Sequence, residues 1–432
     1  MFIVYSPNIT PRLKYVFNFV FHELLCSEII YTKNKEEFRQ SDLIKINYSN
    51  ADFETAVTFK PHGLLYKRGI EELNIHVFQW NSTKVFFKVN DETFPFDPFA
   101  AIFYLISRYE EYLPHKRDHY NRFLASNSLA YKNDFLKIPI VDVWGGFIRD
   151  KISIKHPKCR IPRRKFKLQS TIDVDSAYAF IEKGFVRTTG SLVRSIFESK
   201  DSFKKRFLTL LGRMKDPYDR FDELHKIQQL YNVDTTYFLL LGDYGLNDKN
   251  IPHTSKKFQS LIKEINDYYH IGIHPSFSSN SDESALKKEV KRLYDIAHVS
   301  INRSRQHFLK LEFPSTYRKL IDHEIKFDYT MGYAEELGFR AGTCSPFYFF
   351  DLDREQETPL RLIPFCIMDA SLRHYLNVEA VDVVSVVSPI IDDIKKVDGT
   401  FTMLWHNESL SEIYPWEGWS GIYEEVIKLA IK

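Results

Sequence analysis

Residues 168–176, Leu168-Gln169-Ser170-Thr171-Ile172-Asp173-Val174-Asp175-Ser176, end a β-prone apolar run in two carboxylates spaced two apart. On a strand, positions i and i+2 share a face, so Asp173 and Asp175 project into the same space at the strand's mouth. Two negative charges so placed repel unless a cation lies between them, or unless one works as a base beside a ligand. A strand running into an ordinary Asp/Ser turn is the plain alternative.

Downstream of this segment, β-prone runs at 235–241, 268–274, 327–330 and 401–406 alternate with stretches of helical spacing. The alternation predicts an α/β fold with a parallel, barrel-like sheet, not a sandwich or a bundle. Residues 194–232 read as an inserted basic helical stretch over 194–215, a turn at Asp216-Pro217, and a second helix from about Phe221. Upstream, residues 1–150 read as a smaller mixed α/β domain. Helical spacing runs over 12–25, strands are expected at 75–80 and 84–89, and Asp97-Pro98 is a good cap for an apolar helix over 99–113 that Pro114 stops. The cluster Ser107-Arg108-Tyr109-Glu110-Glu111-Tyr112 within it reads as a face toward the second domain. Residues 151–167, rich in Lys, Arg and Pro with little apolar periodicity, are the expected linker, and 168–432 the second domain.

At 432 residues the chain exceeds the size at which one core usually keeps growing, which agrees with two domains. Lys+Arg 59 against Asp+Glu 57 leaves +2, so there is no broad basic footprint for nucleic acid or an anionic membrane. Cys26, Cys159, Cys344 and Cys366 show no C-x-x-C spacing and imply neither a disulfide framework nor a zinc knuckle, which fits a reducing compartment. The opening residues lack a basic n-region and no apolar run reaches membrane-span length, so the expectation is a cytoplasmic protein without an integral membrane segment. Nothing in the sequence sets an oligomeric state.

Four further segments place a polar group just after a strand candidate, the end where α/β enzymes gather their sites. In His270-Ile271-Gly272-Ile273-His274-Pro275-Ser276-Phe277-Ser278 the Gly and β-branched residues indicate strand then loop, and four strand residues span about 13 Å. His274, at the loop edge, is therefore the better ligand candidate, and His270 a packed or solvated residue. In Ser304-Arg305-Gln306-His307 the arginine and histidine share a face if extended, and the arginine could orient a catalytic carboxylate. Gly338-Phe339-Arg340-Ala341-Gly342 is a Gly-rich turn whose Arg340 could bind a substrate anion or sit on the surface. Leu404-Trp405-His406 ends an apolar strand in a histidine that could donate a proton.

Taken in chain order, Thr171-x-Asp173-x-Asp175, Ile271-Gly272-x-His274, Arg305-x-His307, Gly338-Phe339-Arg340 and Leu404-Trp405-His406 resemble the polysaccharide deacetylase (NodB-homology, carbohydrate esterase) family over roughly residues 165–432. The segments Phe96-Asp97-Pro98-Phe99, Ser107-Arg108-Tyr109-Glu110-Glu111-Tyr112 and Pro139-Ile140-Val141-Asp142 look like the N-terminal domain found ahead of a bacterial branch of that family. The resemblance implies a distorted (β/α) barrel and one divalent metal, usually zinc, held by an Asp and two His. It makes Asp173 the base toward a metal-bound water, Asp175 and His274 metal ligands, Arg305 the partner that orients Asp173, and His406 the acid that protonates the leaving amine. The implied activity is removal of N-acetyl, or a related acyl group, from a sugar or polysaccharide precursor.

One position departs from the family. Four residues past His274, where a second ligand histidine belongs, stands Ser278, whose hydroxyl is a poor zinc ligand beside imidazole or carboxylate. His307 as third ligand, His270 reached through irregular backbone, or a weakly held ion would each resolve it, and His307 is favoured because it adjoins Arg305. If none applies, the rival is a non-catalytic carbohydrate-binding or scaffold protein on the same fold, with Trp405, Trp416 and Trp419 as stacking platforms.

Overall fold

The chain opens with four short parallel strands, β1 (Phe2–Tyr5), β2 (Ile29–Thr32), β3 (Ile44–Tyr48) and β4 (Val57–Phe59), in the order β2-β1-β3-β4. The structure, a computed structural model, describes residues 1–184 and 200–432. The connection from β1 to β2 is the helix Pro11–Asn18, which starts where its sequence dictates: the Thr10 side chain accepts from the Leu13 backbone N–H, and Pro11 needs no donor in the first turn. A short antiparallel hairpin follows, β5 (Phe78–Trp80) with β6 (Thr83–Val85).

Asp97 caps the helix Pro98–Ile106 by accepting from the Ala100 N–H. The helix expected over 99–113 stops there because Arg108 adopts a left-handed backbone, φ 52°, and turns its guanidinium inward. That group donates to Glu111 at 2.8 Å, to Glu110 at 3.0 Å, and to the Arg340 carbonyl. The helix Ile140–Lys155 runs through the boundary expected at 150, so only residues 156–166 form the extended connection into the second half. Of the basic stretch, the helices Lys200–Leu210 and Phe221–Leu230 are described, and residues 194–199 lie outside the described residues.

The second half is built on nine strands: β7 (Lys167–Val174), β8 (Asp234–Leu239), β9 (His270–Ile273), β10 (Arg303–Ser304), β11 (Phe327–Asp328), β12 (Phe347–Asp351), β13 (Gln356–Leu362), β14 (Ile367–Met368) and β15 (Thr400–His406). Their order is β12-β13-β11-β10-β9-β8-β7-β15-β14, and every pairing is parallel except β12 with β13. The mixed α/β class with a parallel sheet is thus the observed one.

The two sides of this sheet are carried by one stretch of chain. After β13 pairs with β11, the Ile363 N–H donates to the Asp328 carbonyl at 2.8 Å and the Phe365 N–H to Met331 at 3.1 Å. The Cys366 N–H then donates to Thr402 at 3.2 Å, and β14 pairs with β15. The expected barrel is not traced as a closed circuit of strand pairs among the described residues; the link between its two sides is this irregular segment.

Gly272 is required where β8, β9 and β10 lie side by side. A Cβ there would stand 2.6 Å from the Phe238 ring and 2.8 Å from the Arg303 carbonyl. The apolar interior is continuous from Phe2 to Ala430. It is bridged by Tyr15 against Phe350, with centroids 4.9 Å apart, and by the Arg12–Glu355 ion pair. Buried Asp142 accepts from Thr343 Oγ1 at 2.7 Å, the Cys344 N–H at 3.0 Å and Ser345 Oγ at 2.5 Å. No helix among the described residues is long and apolar enough to cross a membrane.

Candidate metal centre

Parallel pairing puts the carboxyl ends of the strands at one rim, and the polar residues there come from consecutive strand ends. Asp173 lies on the last turn of pleat in β7 with Asp175 just beyond, His274 follows β9, Arg305 and His307 follow β10, and His406 ends β15. Asp173, Asp175, His274, His307 and His406 line one cleft of about 280 Å³, and Arg305 lies behind Asp173.

Asp175, His274 and His307 offer ligand atoms that all lie within 4.8 Å of one another. His274 Nε2 is 3.1 Å from Asp175 Oδ1, and His307 Nε2 is 3.5 Å from Asp175 Oδ2. The other ring nitrogens are already committed. His274 Nδ1 lies 2.6 Å from the Arg305 carbonyl, and His307 Nδ1 lies 2.9 Å from Asp248 Oδ1. Both partners only accept, so both Nδ1 atoms carry hydrogen, and Nε2 is the nitrogen that each ring turns toward Asp175, as a lone pair whenever the ring is neutral. Asp175 Oδ1 is itself buried without a hydrogen-bond partner. An unpaired carboxylate oxygen among imidazole lone pairs is a donor set that a divalent cation satisfies, with both rings oriented from behind as ligand histidines are.

The same groups also answer one another as charges. Burial pushes the Asp175 carboxyl up, but His307 and His274 outweigh it and hold it well below the usual range. Burial lowers the His307 ring, yet Asp175 and Asp248 raise it to about 9. Asp248 is held low by His307 and by the Phe277 and Ser278 N–H groups against the upward push of burial.

Asp173 is steered by Arg305, whose Nη1 is 3.1 Å from Asp173 Oδ1 and 2.7 Å from Thr171 Oγ1, while Nε donates to the Tyr329 carbonyl at 3.0 Å. The guanidinium is fully buried against the rings of Phe238 and Phe365, at 4.9 and 5.3 Å. Asp173 Oδ2 is left toward the cleft, 3.8 Å from His274 Nε2. On the other flank, His406 Nδ1 lies 2.7 Å from Asp369 Oδ1 and the His406 N–H donates to Asp369 Oδ2 at 2.8 Å. Burial disfavours the imidazolium, but Asp369, Asp175 and Asp173 raise the His406 ring to about 10.

Two residues expected to touch substrate do not reach the cleft. Arg340 is buried and spent on Glu111, at 2.6 and 2.9 Å, and on the Gly332 carbonyl at 3.1 Å. Trp405 is 0 % exposed and packs on Tyr423, because on β15 it points opposite to Leu404 and His406, which line the cleft. Trp416 and Trp419 are buried edge to face against each other, so neither offers a stacking platform. His270 is exposed at the far end of β9, and Ser278 Oγ lies 3.0 Å from Ser276 Oγ. Sequence reasoning missed Asp248 and Asp369. Asp248 lies well into the loop after β8, behind Asp243, so the strand-end rule does not single it out, and Asp369 follows a two-residue strand that has no periodicity to recognise.

A family model described as a family of unknown function (DUF7033) matches residues 2–157. No curated protein sequence matches the chain. Among solved structures, a candidate polysaccharide deacetylase from Mycobacterium smegmatis is similar at 14% identity and TM-score 0.39, over 63% of this chain and 87% of that one. Another from Pseudomonas aeruginosa PAO1 is similar at 10% identity and TM-score 0.37, over 62% and 85%. The PuuE allantoinase is similar at 9% identity and TM-score 0.40, over 64% and 89%.

Proposed function

We propose that the chain is a metal-dependent hydrolase that removes an N-acetyl, or related acyl, group from a carbohydrate. In this reading residues 168–432 form a distorted (β/α) barrel that carries the reaction and 1–150 an accessory domain. The observation that carries it is the Asp175 carboxylate, its buried Oδ1 without a hydrogen-bond partner, set between His274 and His307, each with its Nδ1 hydrogen already placed elsewhere. The carbohydrate part rests on the order of the motifs from Thr171-x-Asp173-x-Asp175 to Leu404-Trp405-His406.

A divalent cation held by Asp175, His274 and His307, with zinc suited to such an N,N,O set, would polarise an acyl carbonyl and acidify water beside it. The chain's own groups do the rest. Arg305 fixes Asp173 through Oδ1, which leaves Oδ2 to take the proton of the attacking water. As the new carbon–oxygen bond forms and the carbon–nitrogen bond breaks, the His406 imidazolium gives its Nε2 proton to the departing nitrogen. Asp369 holds that ring by Nδ1 so that Nε2 is the free edge. The products are a carboxylic acid and an amine, and proton exchange with solvent restores Asp173 and His406.

The test pairs metal analysis of the purified chain with acetate release from N-acetylated oligosaccharides and from acetyl esters. Stoichiometric metal in the wild type, loss of it in Asp175→Ala, and acetate from the N-acetylated substrates are expected. Negligible metal in both proteins would remove the catalytic reading, and release from esters alone would move it to an esterase.

A further inference from the structure

The turn that presents His307 is built in a conformation its residues rarely adopt. Phe308 and Leu309 both stand at positive φ, 60° and 53°, a region that bulky L-residues avoid. The turn's own hydrogen bond from the Leu309 N–H to the Gln306 carbonyl at 2.9 Å holds part of it, and two further holding groups, both on Phe308, come from the N-terminal half. Arg122 Nη1 donates to the Phe308 carbonyl at 3.0 Å, and the Tyr120 ring packs on the Phe308 ring with centroids 4.7 Å apart. The Phe308 ring in turn contacts the His307 ring at 4.5 Å and Phe277 at 5.7 Å.

Arg122 is itself aimed by a small hairpin. The Asp118 N–H donates to the Arg122 carbonyl at 3.1 Å, Asp118 Oδ1 accepts from the Tyr120 and Arg122 N–H groups at 2.9 and 2.8 Å, and Arg117 bridges to Phe123. Asp118 Oδ2 accepts from Arg122 Nε at 2.7 Å, and Arg122 Nη2 donates to the Tyr375 hydroxyl at 3.1 Å. Arg122 is 6% exposed, lines the same cleft as Asp175 and His307, and spends each arm of its guanidinium on a different partner.

We propose that Arg122 is a positioning residue for the third metal ligand, so that the region matched by the family of unknown function is part of the metal centre. The inference rests on the metal-site reading above. Without the Arg122 donor the Phe308 carbonyl is left unpaired, the left-handed turn relaxes, and His307 Nε2 drifts from Asp175. Arg122 acts through the turn and touches no ligand directly.

Cobalt(II) titration of the full chain tests this, because the visible d–d bands report ligand number and geometry without any need for turnover. Arg122→Gln is expected to weaken cobalt affinity by about 10- to 100-fold, as loss of a ligand's supporting contacts does, and to change the band shape. Arg122→Lys, which keeps the charge but cannot serve all three acceptors, falls between. Arg12→Gln is the control: Arg12 is also buried and ion-paired, to Glu355, but lies outside the cleft, and this variant should lower Tm while cobalt affinity and spectrum stay as in the wild type. An Arg122→Gln protein that binds cobalt like the wild type, or an Arg12→Gln protein with the same loss, would overturn the inference. If Arg122→Gln is insoluble, Arg122→Lys decides by the same criteria. A wild-type chain that binds no cobalt is a separate result and defeats the metal-site reading itself.

Discussion

Two aspartates behind two histidines give the site its asymmetry. Asp248 accepts the Nδ1 hydrogen of His307 and turns that ring's lone pair toward Asp175. Asp369 makes the same bond to His406 and, with Asp175 and Asp173, raises that ring to about 10, but His406 is the proton donor of the proposal where His307 is a ligand. Asp248→Ala should therefore weaken metal affinity by about 10- to 100-fold, read by competition against a chelator, and unchanged affinity would refute its role. Asp369→Asn should bring the His406 titration down from about 10 toward the ordinary 6.5 in the metal-stripped chain, followed by NMR. The sign carries to stability. A ring raised on folding contributes fully below about 6.5 and loses that contribution as pH climbs through about 10. The deficit of Asp369→Asn relative to wild type should therefore shrink across that interval.

At the scale of elements, what the sequence disclosed follows from strand ends. Runs such as 268–274 and 401–406 carry enough β-branched and aromatic residues to be read as strands, and the histidine that ends each is then a site candidate. What stayed hidden depends on direction. Trp405 and His406 look equally placed in the sequence, yet the pleat sends them to opposite faces, one into the core and one to the cleft. Arg340 reads as an arginine that binds a substrate anion or sits on the surface, because its partner Glu111 is more than two hundred positions away in the chain. The early stop of the helix at Ile106 goes with a distant partner too, since Arg108 leaves helical geometry and meets the Arg340 carbonyl as well as the nearby Glu111. Gly272→Ala tests the tightness of the strand packing. With no room for a Cβ beside Phe238 and Arg303, it should destabilise the chain by about 1–3 kcal/mol in chemical denaturation, and an unshifted midpoint would contradict that.

For the whole molecule, chain length argued for separate cores, but length says nothing about what lies between them. One large apolar cluster of the described residues spans both halves, and buried ionic groups cross between them. Glu111 stands between Arg108 and Arg340, all three buried. Glu111→Ala would leave the buried Arg340 guanidinium without its counter-ion and Arg108 with Glu110 alone, a loss of about 3–5 kcal/mol, and should lower the whole melting transition at once. Two resolved transitions in calorimetry would show instead that the halves unfold independently. The stretch from Gln356 to Met368 has a further consequence, because its two ends are registered against different neighbours, β11 on one side and β15 on the other. An extra or missing residue between Leu362 and Ile367 would flip one pairing inside out, since a one-residue slip exchanges the faces of a strand. Natural variants of this chain should accept insertions in their outer loops long before they tolerate a change of spacing there.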